Sequence, residues 1–441
     1  MTESIHDSTR NTTITVPVLA RVEGEGALTF RVSGGAIHDL QLKIFEPPRL
    51  FEKFLEGRSH QQVIDSVARI CGICPVAYQM SAVHALEGIF GVTPSATVRD
   101  LRRVMYCGEW LESHALHIHL LAAPDFLGYA NAVAMAKDHP EEVRRGLRLQ
   151  ALGNKLIKLL GGRSVHPVGV RVGGFFAMPG IAEVKVLLQE LADATDDARS
   201  LLQWLAQLRL PNDEQDFVSV SLQHPHEYPM NEGRIVGSDG LDIDIADYQA
   251  HFTERHVSHS TALHSLYQGQ PYLVGPLARV NNNWQQLHAP VLELMNSLDI
   301  SFPSRNMFHS VLARALEIYY AILEAQTLLQ YYLLTETTPQ QSLDPITAKA
   351  GIGFGCTEAP RGILWHRYEL DEGGHVQQAT IVPPTSQNQA RMEQDLQRSL
   401  TSFGLQQADD VLRQHAETVI RNYDPCISCS THFLKLKVNR D

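Results

Sequence analysis

Two pairs of cysteines, each spaced Cys-x-x-Cys, are the residues of this 441-residue chain best suited to bind a metal. Cys71 and Cys74 form the first pair, and Cys426 and Cys429 form the second, near the opposite end of the sequence. Soft thiolates select zinc, copper(I), iron–sulfur clusters or other late metals, so ligand type alone does not choose the metal. A local zinc module is excluded, because such modules place their cysteine pairs about 15–20 residues apart. We therefore expect a site that forms where both ends of the chain meet.

The residues around both pairs predict that each pair lies at the start of a helix. Pro75 follows the first pair at the favoured first helical position, and Asp424 and Pro425 precede the second pair as the predicted N-cap and first helical residue. A helix N-terminus lowers a thiol pKa and favours the thiolate, which is the metal-binding form. The remaining cysteines, Cys107 and Cys356, are expected to be buried small hydrophobes.

The composition is that of an ordinary globular protein, with 44% hydrophobic residues and only six cysteines, too few for a disulfide scaffold. The net charge of −12 and the lack of a long basic block argue against nucleic acid and anionic membranes as partners. The polar start lacks the basic and apolar regions of a secretory signal, and no stretch predicts a transmembrane helix. We therefore expect a cytoplasmic protein.

The patterning of apolar and polar residues predicts the elements that must position these groups. Residues 13–46 alternate apolar and polar side chains and predict an N-terminal β region with a hairpin turn at 33–35. Long helical runs predict a central bundle, and a polar segment between them predicts short peripheral strands. The helical runs are 47–210, 280–335, 389–402 and 406–421, and the polar segment is 213–260. The predicted fold class is α+β and mainly α.

A glycine-rich stretch at 349–362 precedes a second predicted hairpin, which turns at 371–374. Glycines permit the close backbone approach that is expected around a ligand pocket. No fixed-period repeat or low-complexity linker divides the chain. We therefore expect one catalytic domain over 1–441, with its metal site built from both chain ends.

Taken together, these motifs resemble the large, catalytic subunit of nickel–iron hydrogenases. R-x-C-G-x-C ends at Cys74, and D-P-C-x-x-C-x-x-H ends at His432. Other matching segments follow in the family's order along the whole chain: 21–24, Glu52, 161–163 with 166–167, and 358–362. The resemblance implies the fold of that family, a bundle of long central helices with an N-terminal β region.

The resemblance also implies the metals. Cys71 and Cys426 would be terminal thiolates on nickel, while Cys74 and Cys429 would bridge nickel to an iron that carries CO and CN ligands. A magnesium would be held by Glu52 and His432. No cysteines remain for an iron–sulfur cluster in this chain, so the electrons would leave through a separate small subunit that carries such clusters.

Heterolytic cleavage of dihydrogen gives a hydride and a proton, so the site needs a Lewis acid and a nearby base. Cys426 would accept the proton at sulfur, and Glu23, which matches the family's proton-gate glutamate, would carry it away. Arg361, always charged and planar, resembles the guanidinium held over the open metal face. Pro360 would shape the pocket of the diatomic ligands. Three further residues are expected around the ligands: Asp424, Ser113 and His166, the last toward the electron-transfer partner.

The sequence departs from the commonest family pattern at three positions. Tyr78 and Glu25 stand where many relatives have histidine, and Ser113 stands where many have aspartate. These changes affect the hydrogen bonds around the metal ligands. The nearby histidines are expected to be packed or to relay protons, not to bind metal: His114, His117 and His119.

The expected partners follow from the same resemblance. The chain looks like the cytoplasmic, bidirectional type, which implies NAD(P)-reactive diaphorase subunits, nickel-insertion proteins and a maturation protease that removes 433–441 after His432. Two alternatives remain: a metal-free subunit related to the quinone-binding subunit of respiratory complex I, and a structural zinc protein. The four intact cysteines argue against the first alternative. Glu23 and Arg361, which a zinc site does not need, argue against the second.

Overall fold

A computed structural model describes residues 10–335 and 346–431 of the chain. Long helices form its centre, and small antiparallel sheets lie around them. The α+β, mainly α fold class predicted from the sequence is confirmed. Within the described ranges, no helix combines the length and the apolar character needed to cross a membrane.

Fifteen α-helices occur in the described part of the chain, and a π-helical turn, His117–Ala122, joins the fourth to the fifth. The helices are α1 (Phe51–Leu55), α2 (His60–Val67), α3 (Pro75–Phe90), α4 (Ala96–Leu116), α5 (Ala123–Leu127), α6 (Ala132–Met135), α7 (Pro140–Gly161), α8 (Ile181–Gln207), α9 (Tyr248–His251), α10 (Pro276–Asn283), α11 (Ala289–Ser297), α12 (Ser310–Thr335), α13 (Pro384–Phe403), α14 (Asp409–Tyr423) and α15 (Ile427–Ser430).

The strands of the described residues form five small sheets. The strands are β1 (Asn11–Val16), β2 (Gly26–Ser33), β3 (Ala36–Ile44), β4 (Val170–Arg171), β5 (Gly174–Phe175), β6 (Val220–Gln223), β7 (Arg234–Gly237), β8 (Asp242–Ile243), β9 (Phe252–Arg255), β10 (His264–Tyr267), β11 (Gly351–Ala359), β12 (Gly362–Leu370) and β13 (Val376–Val382). The two predicted hairpin turns are confirmed, at the β2–β3 and β12–β13 connections. Gly34 and Gly35 have φ of 58° and 75°, as a two-residue hairpin turn requires.

The core of the molecule is the packing of α4 against α7, α12 against α4 and α8, and β11 against α3. The α4–α7 contact is close because both helices have a glycine at the crossing: a Cβ on Gly153 would lie 2.5 Å from the carbonyl oxygen of Gly108. This crossing fixes the middle of α4, which carries several buried polar side chains.

The glycine-rich stretch is a strand, β11, that lies directly on α3. A Cβ on Gly355 would lie 1.9 Å from the carbonyl oxygen of Ser81, and one on Gly353 would lie 2.1 Å from that of Ala85. These glycines therefore allow β11 to pack closely on α3. The sequence had instead predicted that they line a ligand pocket. The contact holds α3 in place beside the turn that follows β11.

Candidate metal centre

The two cysteine pairs meet in the interior of the protein. Cys74 is the N-cap of α3, with Cys71 in the turn before it, and Cys426 is the N-cap of α15, with Cys429 inside that helix. Ligand sulfurs of all four lie within 4.8 Å of one another, and each residue is at most 3% exposed. None of the four forms a disulfide. The structure thus brings together the four thiols that the sequence analysis proposed as one site.

Two distances between the pairs are close to those of a shared metal group, whereas Sγ of Cys426 and Sγ of Cys429, 2.7 Å apart, would have to separate on metal binding. Sγ of Cys71 lies 3.4 Å from Sγ of Cys426, and Sγ of Cys74 lies 3.7 Å from Sγ of Cys429. Thiolates bound tetrahedrally to one ion at about 2.3 Å would lie about 3.8 Å apart. Soft sulfur donors in a buried, closely spaced set suit a late transition metal.

One local prediction at the second pair is wrong. Asp424 is the C-cap of α14, with φ of 56°, and it is not the N-cap of a helix that includes Pro425. The chain turns there in the left-handed conformation, so α15 begins one residue after Cys426. The prediction was wrong because an Asp-Pro pair is compatible with either end of a helix, and packing decides which. The start of α3 at Pro75 is confirmed.

Burial and the contacts among the four thiols together set the pKa values of these cysteines. Burial has the largest effect at Cys426 and Cys429. It raises the pKa of Cys426 and of Cys429, which contradicts the expectation that both pairs have lowered pKa values. At Cys71 burial acts in the same direction, but hydrogen bonds with the neighbouring thiols hold its pKa below the usual range. Four buried thiolates need a cation to offset their charge, so metal binding and deprotonation are coupled here.

Glu23 lies directly against the second pair. Sγ of Cys426 is 3.1 Å from Oε2 of Glu23, and the backbone N–H of Ser428 donates to the same oxygen at 3.1 Å. The backbones of Glu23 and Cys426 form a parallel bridge, and the N–H of Ile427 donates to the Glu23 carbonyl at 3.0 Å. Gly24 makes this approach possible, because a Cβ there would lie 2.7 Å from the Cβ of Ile427. A base is therefore within hydrogen-bond reach of one thiol.

A second carboxylate lies one hydrogen bond further out. The hydroxyl of Ser428 donates to Oε1 of Glu46 at 2.9 Å, and Ser428 already contacts Glu23 through its backbone. Both glutamates are partly exposed. Glu46 could not be predicted as part of the site, since nothing in the order of the chain links position 46 to position 428.

Arg361 and Asp424 form a buried ion pair. Nε of Arg361 donates to the Asp424 carbonyl at 2.7 Å, and Nη2 lies 3.0 Å from the Asp424 carboxylate. Burial would lower the pKa of Arg361, but Asp424 and the thiols raise it further above its ordinary value, so the guanidinium stays charged. Its Nη1 is buried and has no hydrogen-bond partner among the described residues. Pro360, just before it, is also buried.

Two predicted magnesium ligands have different outcomes. Glu52 lies in α1, and its Oε1 accepts a hydrogen bond from the N–H of Ile381 at 2.8 Å. His432 and the predicted tail, 433–441, lie outside the residues that the structure describes. Of the two predicted magnesium ligands, the structure thus describes Glu52 alone.

Two buried glutamates on α4 border the site, and the sequence analysis missed both. Glu109 accepts from the N–H of Val76 at 2.6 Å and from that of Ala77 at 3.2 Å, so it caps the first turn of α3 next to Cys74. Burial raises the pKa of Glu112, and the positive charge of Arg361 offsets part of this effect. Two glutamates among the apolar residues of a predicted helix could have indicated a functional role. The sequence does not show, however, that this face of the helix is buried. Ser113, next along α4, has a buried hydroxyl without a partner among the described residues.

The remaining predicted residues are placed around this centre. Tyr78 is fully buried on the first turn of α3, and its hydroxyl has no hydrogen-bond partner among the described residues. Nδ1 of His166 lies 2.7 Å from the carbonyl oxygen of Ala68, at the end of α2 before Cys71. Glu25, in contrast, is exposed. Cys107 and Cys356 are buried apart from the four-thiol group.

The three histidines of α4 and the π-helical turn lie outside the four-thiol group. Nε2 of His114 pairs with Oε2 of Glu317 at 2.8 Å, and Nε2 of His117 lies 2.8 Å from the carbonyl oxygen of Arg421. His119 stacks on Trp204, with ring centroids 5.8 Å apart. Burial lowers the pKa of His114 to about 4 and those of His117 and His119 to about 3, so all three are neutral near pH 7.

Comparison with known proteins identifies a single family. The family model "Nickel-dependent hydrogenase" matches residues 49–146 and 243–432. Sulfhydrogenase 1 subunit alpha of Pyrococcus furiosus is 34% identical over 425 residues, which cover 96% of this chain and 98% of the relative. The beta subunit of the NAD-reducing hydrogenase HoxS of Cupriavidus necator is 28% identical over 96% of this chain and 95% of its own length.

Solved structures agree with these matches. A chain of the crystal structure of an NAD+-reducing [NiFe]-hydrogenase in the H2-reduced state superposes with a TM-score of 0.86 at 26% identity. The match covers 97% of this chain and 100% of the chain in the crystal structure. The [NiFeSe]-hydrogenase of Desulfovibrio vulgaris Hildenborough, at 21% identity and a TM-score of 0.75, shares the fold.

Proposed function

We propose that this chain, which belongs to the nickel-dependent hydrogenase family as a large subunit, catalyses the reversible heterolytic cleavage of H2. The electrons would pass to an iron–sulfur small subunit and on to NAD(P). The observation that carries the proposal is the 3.1 Å contact between Cys426 and Glu23 inside a buried group of four thiols. It puts a proton acceptor and a proton carrier side by side at the candidate metal centre. The metal-free and zinc alternatives are not favoured, because family membership already implies nickel.

The four cysteines fit a nickel–iron group. Cys71 and Cys426 would hold nickel as terminal thiolates, and Cys74 and Cys429 would also bind an iron with CO and CN ligands, next to the buried Pro360. When bound, this group supplies the Lewis acidity and the redox chemistry of H2 cleavage. The protein supplies the bases and the exclusion of bulk water, since each thiol is at most 3% exposed.

The side chains around the cysteines would accept the proton and transfer it away from the metal centre. The sulfur of Cys426 accepts it, and Oε2 of Glu23 receives it over a single hydrogen bond. Glu23 is itself partly exposed, and Glu46, which accepts from the Ser428 hydroxyl, is a second partly exposed carboxylate nearby. Asp424 holds Arg361 through two contacts, so the guanidinium keeps a fixed positive charge beside the thiols and an Nη1 group without a partner among the described residues. A preorganised donor of this kind stabilises negative charge that develops in the reaction.

A magnesium near the C-terminus belongs to the same proposal. Glu52 would be one ligand and His432 another, and a protease would remove 433–441 after nickel insertion. The structural support for this part is limited to Glu52, whose Oε1 is fixed by the N–H of Ile381. Intact-mass measurement of active, nickel-loaded protein tests the cleavage, because an active chain that still ends at Asp441 would contradict it.

Large subunits of this family pair with a small subunit, and one surface near Cys71 is suited to it. Residues 165–176 contact α2, through His166 to Ala68 and through Gln61 to the carbonyl oxygen of Val170 at 3.4 Å. Apolar side chains on α1 and on this segment are about half exposed: Phe54, Val165, Val168 and Phe176. We assign this surface to the iron–sulfur subunit, since a short route for electrons requires contact near the metal centre.

The remaining partners rest on relatives named for NAD reduction. A diaphorase module would connect the small subunit to NAD(P), and nickel-insertion proteins would act before the protease. The cytoplasm suits a chain coupled to soluble NAD(P). Purification of the tagged chain with its subunits tests the assembly. The preparation should contain about one nickel per large subunit and reduce NAD+ or NADP+ with H2. A preparation without nickel, or with nickel but without H2 oxidation by any dye or nucleotide, would contradict the proposed function.

A further inference from the structure

Three metal-ligating side chains meet at a place that shares no residue with the cysteine centre. His259, His264 and Glu393 each offer one ligand atom, and these atoms lie within 4.8 Å of one another. His264 is the first residue of β10, His259 lies in the loop before it, and Glu393 lies in α13. The site is therefore built from a loop, a strand and a helix that are distant in sequence.

The backbone around this cluster is already fixed. The N–H of Thr261 donates to the carbonyl oxygen of Ile44 at 2.8 Å, and its hydroxyl lies 2.9 Å from the Glu46 carbonyl oxygen. These bonds attach the loop to the end of β3. On the other side, the N–H of Leu42 donates to Oε1 of Glu393 at 2.9 Å. The protein groups that would bind an ion are therefore already held in position, which reduces the entropy cost of binding.

His264 carries the argument, because its Nε2 atom is buried and has no hydrogen-bond partner among the described residues. The side chain is 1% exposed, and buried polar atoms are nearly always paired in folded proteins. Neutral imidazole is the form that binds metals. A buried ring nitrogen without a partner among the described residues, in a group with a second histidine and a carboxylate, is the arrangement expected of a metal site.

We propose that His259, His264 and Glu393 bind one divalent transition-metal ion of the zinc class, with a water molecule at its open position. Two histidines and a carboxylate are an established ligand set for zinc, and their single negative charge offsets part of the charge of the ion. Magnesium and calcium are disfavoured, since they prefer an all-oxygen shell.

The present distances also predict which oxygen binds. Nε2 of His259 lies 2.8 Å from Oε1 of Glu393, which is shorter than the spacing of about 3.3 Å between two ligands of a tetrahedral zinc. Oε1 therefore keeps its bond from Leu42, and the ion takes Oε2. Metal binding through Nε2 of His259 requires the neutral tautomer that carries its proton on Nδ1. The ion would thus cross-link the loop before β10 to α13.

The test measures zinc bound to the purified, nickel-loaded enzyme by elemental analysis, after equilibration with a small excess of Zn²⁺ and removal of free ion. The parent enzyme should retain one zinc per chain, and this zinc should raise its melting temperature. His264→Gln should lose that zinc and its thermal shift. Glu393→Gln, which keeps the acceptor for Leu42 but removes the charge, should weaken zinc binding at least tenfold and provides a second test if His264→Gln does not fold.

The matched control is His256→Gln, an exposed histidine in the same loop, which should keep the zinc. Nickel is measured in every sample, so that zinc in the cysteine centre is recognised. No retained zinc in the parent, or equal zinc in all variants, would overturn the proposal. The result is independent of hydrogenase activity, because the readout is the zinc itself.

Discussion

Oε2 of Glu23 lies 3.1 Å from the sulfur of Cys426, although the two residues are 403 positions apart in the chain. Their backbones are also joined by a bridge, so the contact is set by main-chain geometry and not only by side-chain rotamers. A proton can therefore pass from thiol to carboxylate without a large movement of the chain.

Glu23→Gln should separate proton transfer from metal binding. The amide keeps the shape of the carboxylate but cannot accept the proton, so H2 oxidation and H/D exchange should fall by about 100-fold or more. Nickel and iron contents should stay normal. The exposed neighbour Glu25 gives the control, since Glu25→Gln should leave both activities unchanged. Loss of metal in Glu23→Gln would show a structural role instead.

Cys429→Ser should abolish H2 turnover. A hard oxygen donor replaces a soft thiolate that is buried 3.7 Å from the sulfur of Cys74, so the metal group cannot assemble normally. Elemental analysis and dye reduction with H2 measure the outcome. Cys107→Ala, a buried cysteine outside the group, should retain nickel and activity. A folded, metal-loaded Cys429→Ser enzyme with the parent rate would refute the ligand assignment.

Gly355→Ala should destabilise the fold that supports Cys74. The added Cβ would lie 1.9 Å from the carbonyl oxygen of Ser81, so β11 must move away from α3. We expect a loss of about 3 kcal/mol or more in the free energy of unfolding. Gly88 lies in α3, and a Cβ added there meets no atom within 4 Å, so Gly88→Ala should be neutral or slightly stabilising. Denaturant unfolding of the two variants side by side decides this, and equal stabilities would contradict the packing role of Gly355.

Stability should fall as the pH decreases below about 6.5. Burial lowers the pKa of His117 to about 3 in the folded state, while the unfolded chain keeps a value near 6.5. The unfolded state therefore binds the proton first, and this group alone contributes a slope of about 1.4 kcal/mol per pH unit between the two values. His117→Gln should flatten the slope measured by urea unfolding between pH 6.5 and 4.5. An unchanged slope would exclude His117 as a source of the acid sensitivity.

Local signals explain what could be predicted from the sequence. Gly34 and Gly35 define a turn within a few residues, and Pro75 defines a helix start, so both predictions hold. The two Cys-x-x-Cys spacings indicated the four cysteines as one site, and the resemblance to known large subunits supplied the metals, which spacing alone left open. Asp424 was misplaced because an Asp-Pro pair is compatible with either end of a helix, and its buried partner Arg361 lies far away in the sequence.

Other residues could not be predicted because tertiary packing alone brings them to their sites. Glu109 caps α3 from the face of another helix, and Glu46 meets Ser428 only after the chain ends come together. His259 and His264 are close in sequence, but their common partner, Glu393, lies on α13. Charge and periodicity do not encode such distant pairings.

The long sequence separation between the two cysteine pairs also sets an order of events during synthesis. A ribosome adds about 5–20 residues per second, so Cys71 and Cys74 precede Cys426 by roughly 20–70 s. Throughout that interval the first pair has no partner thiols, and the bridge between Glu23 and Cys426 cannot form. The nascent chain must therefore keep two reactive thiols reduced and unoccupied by competing ions while most of the protein is translated. Assembly of the centre is consequently a late step of biosynthesis, and the translation rate limits how soon it can begin.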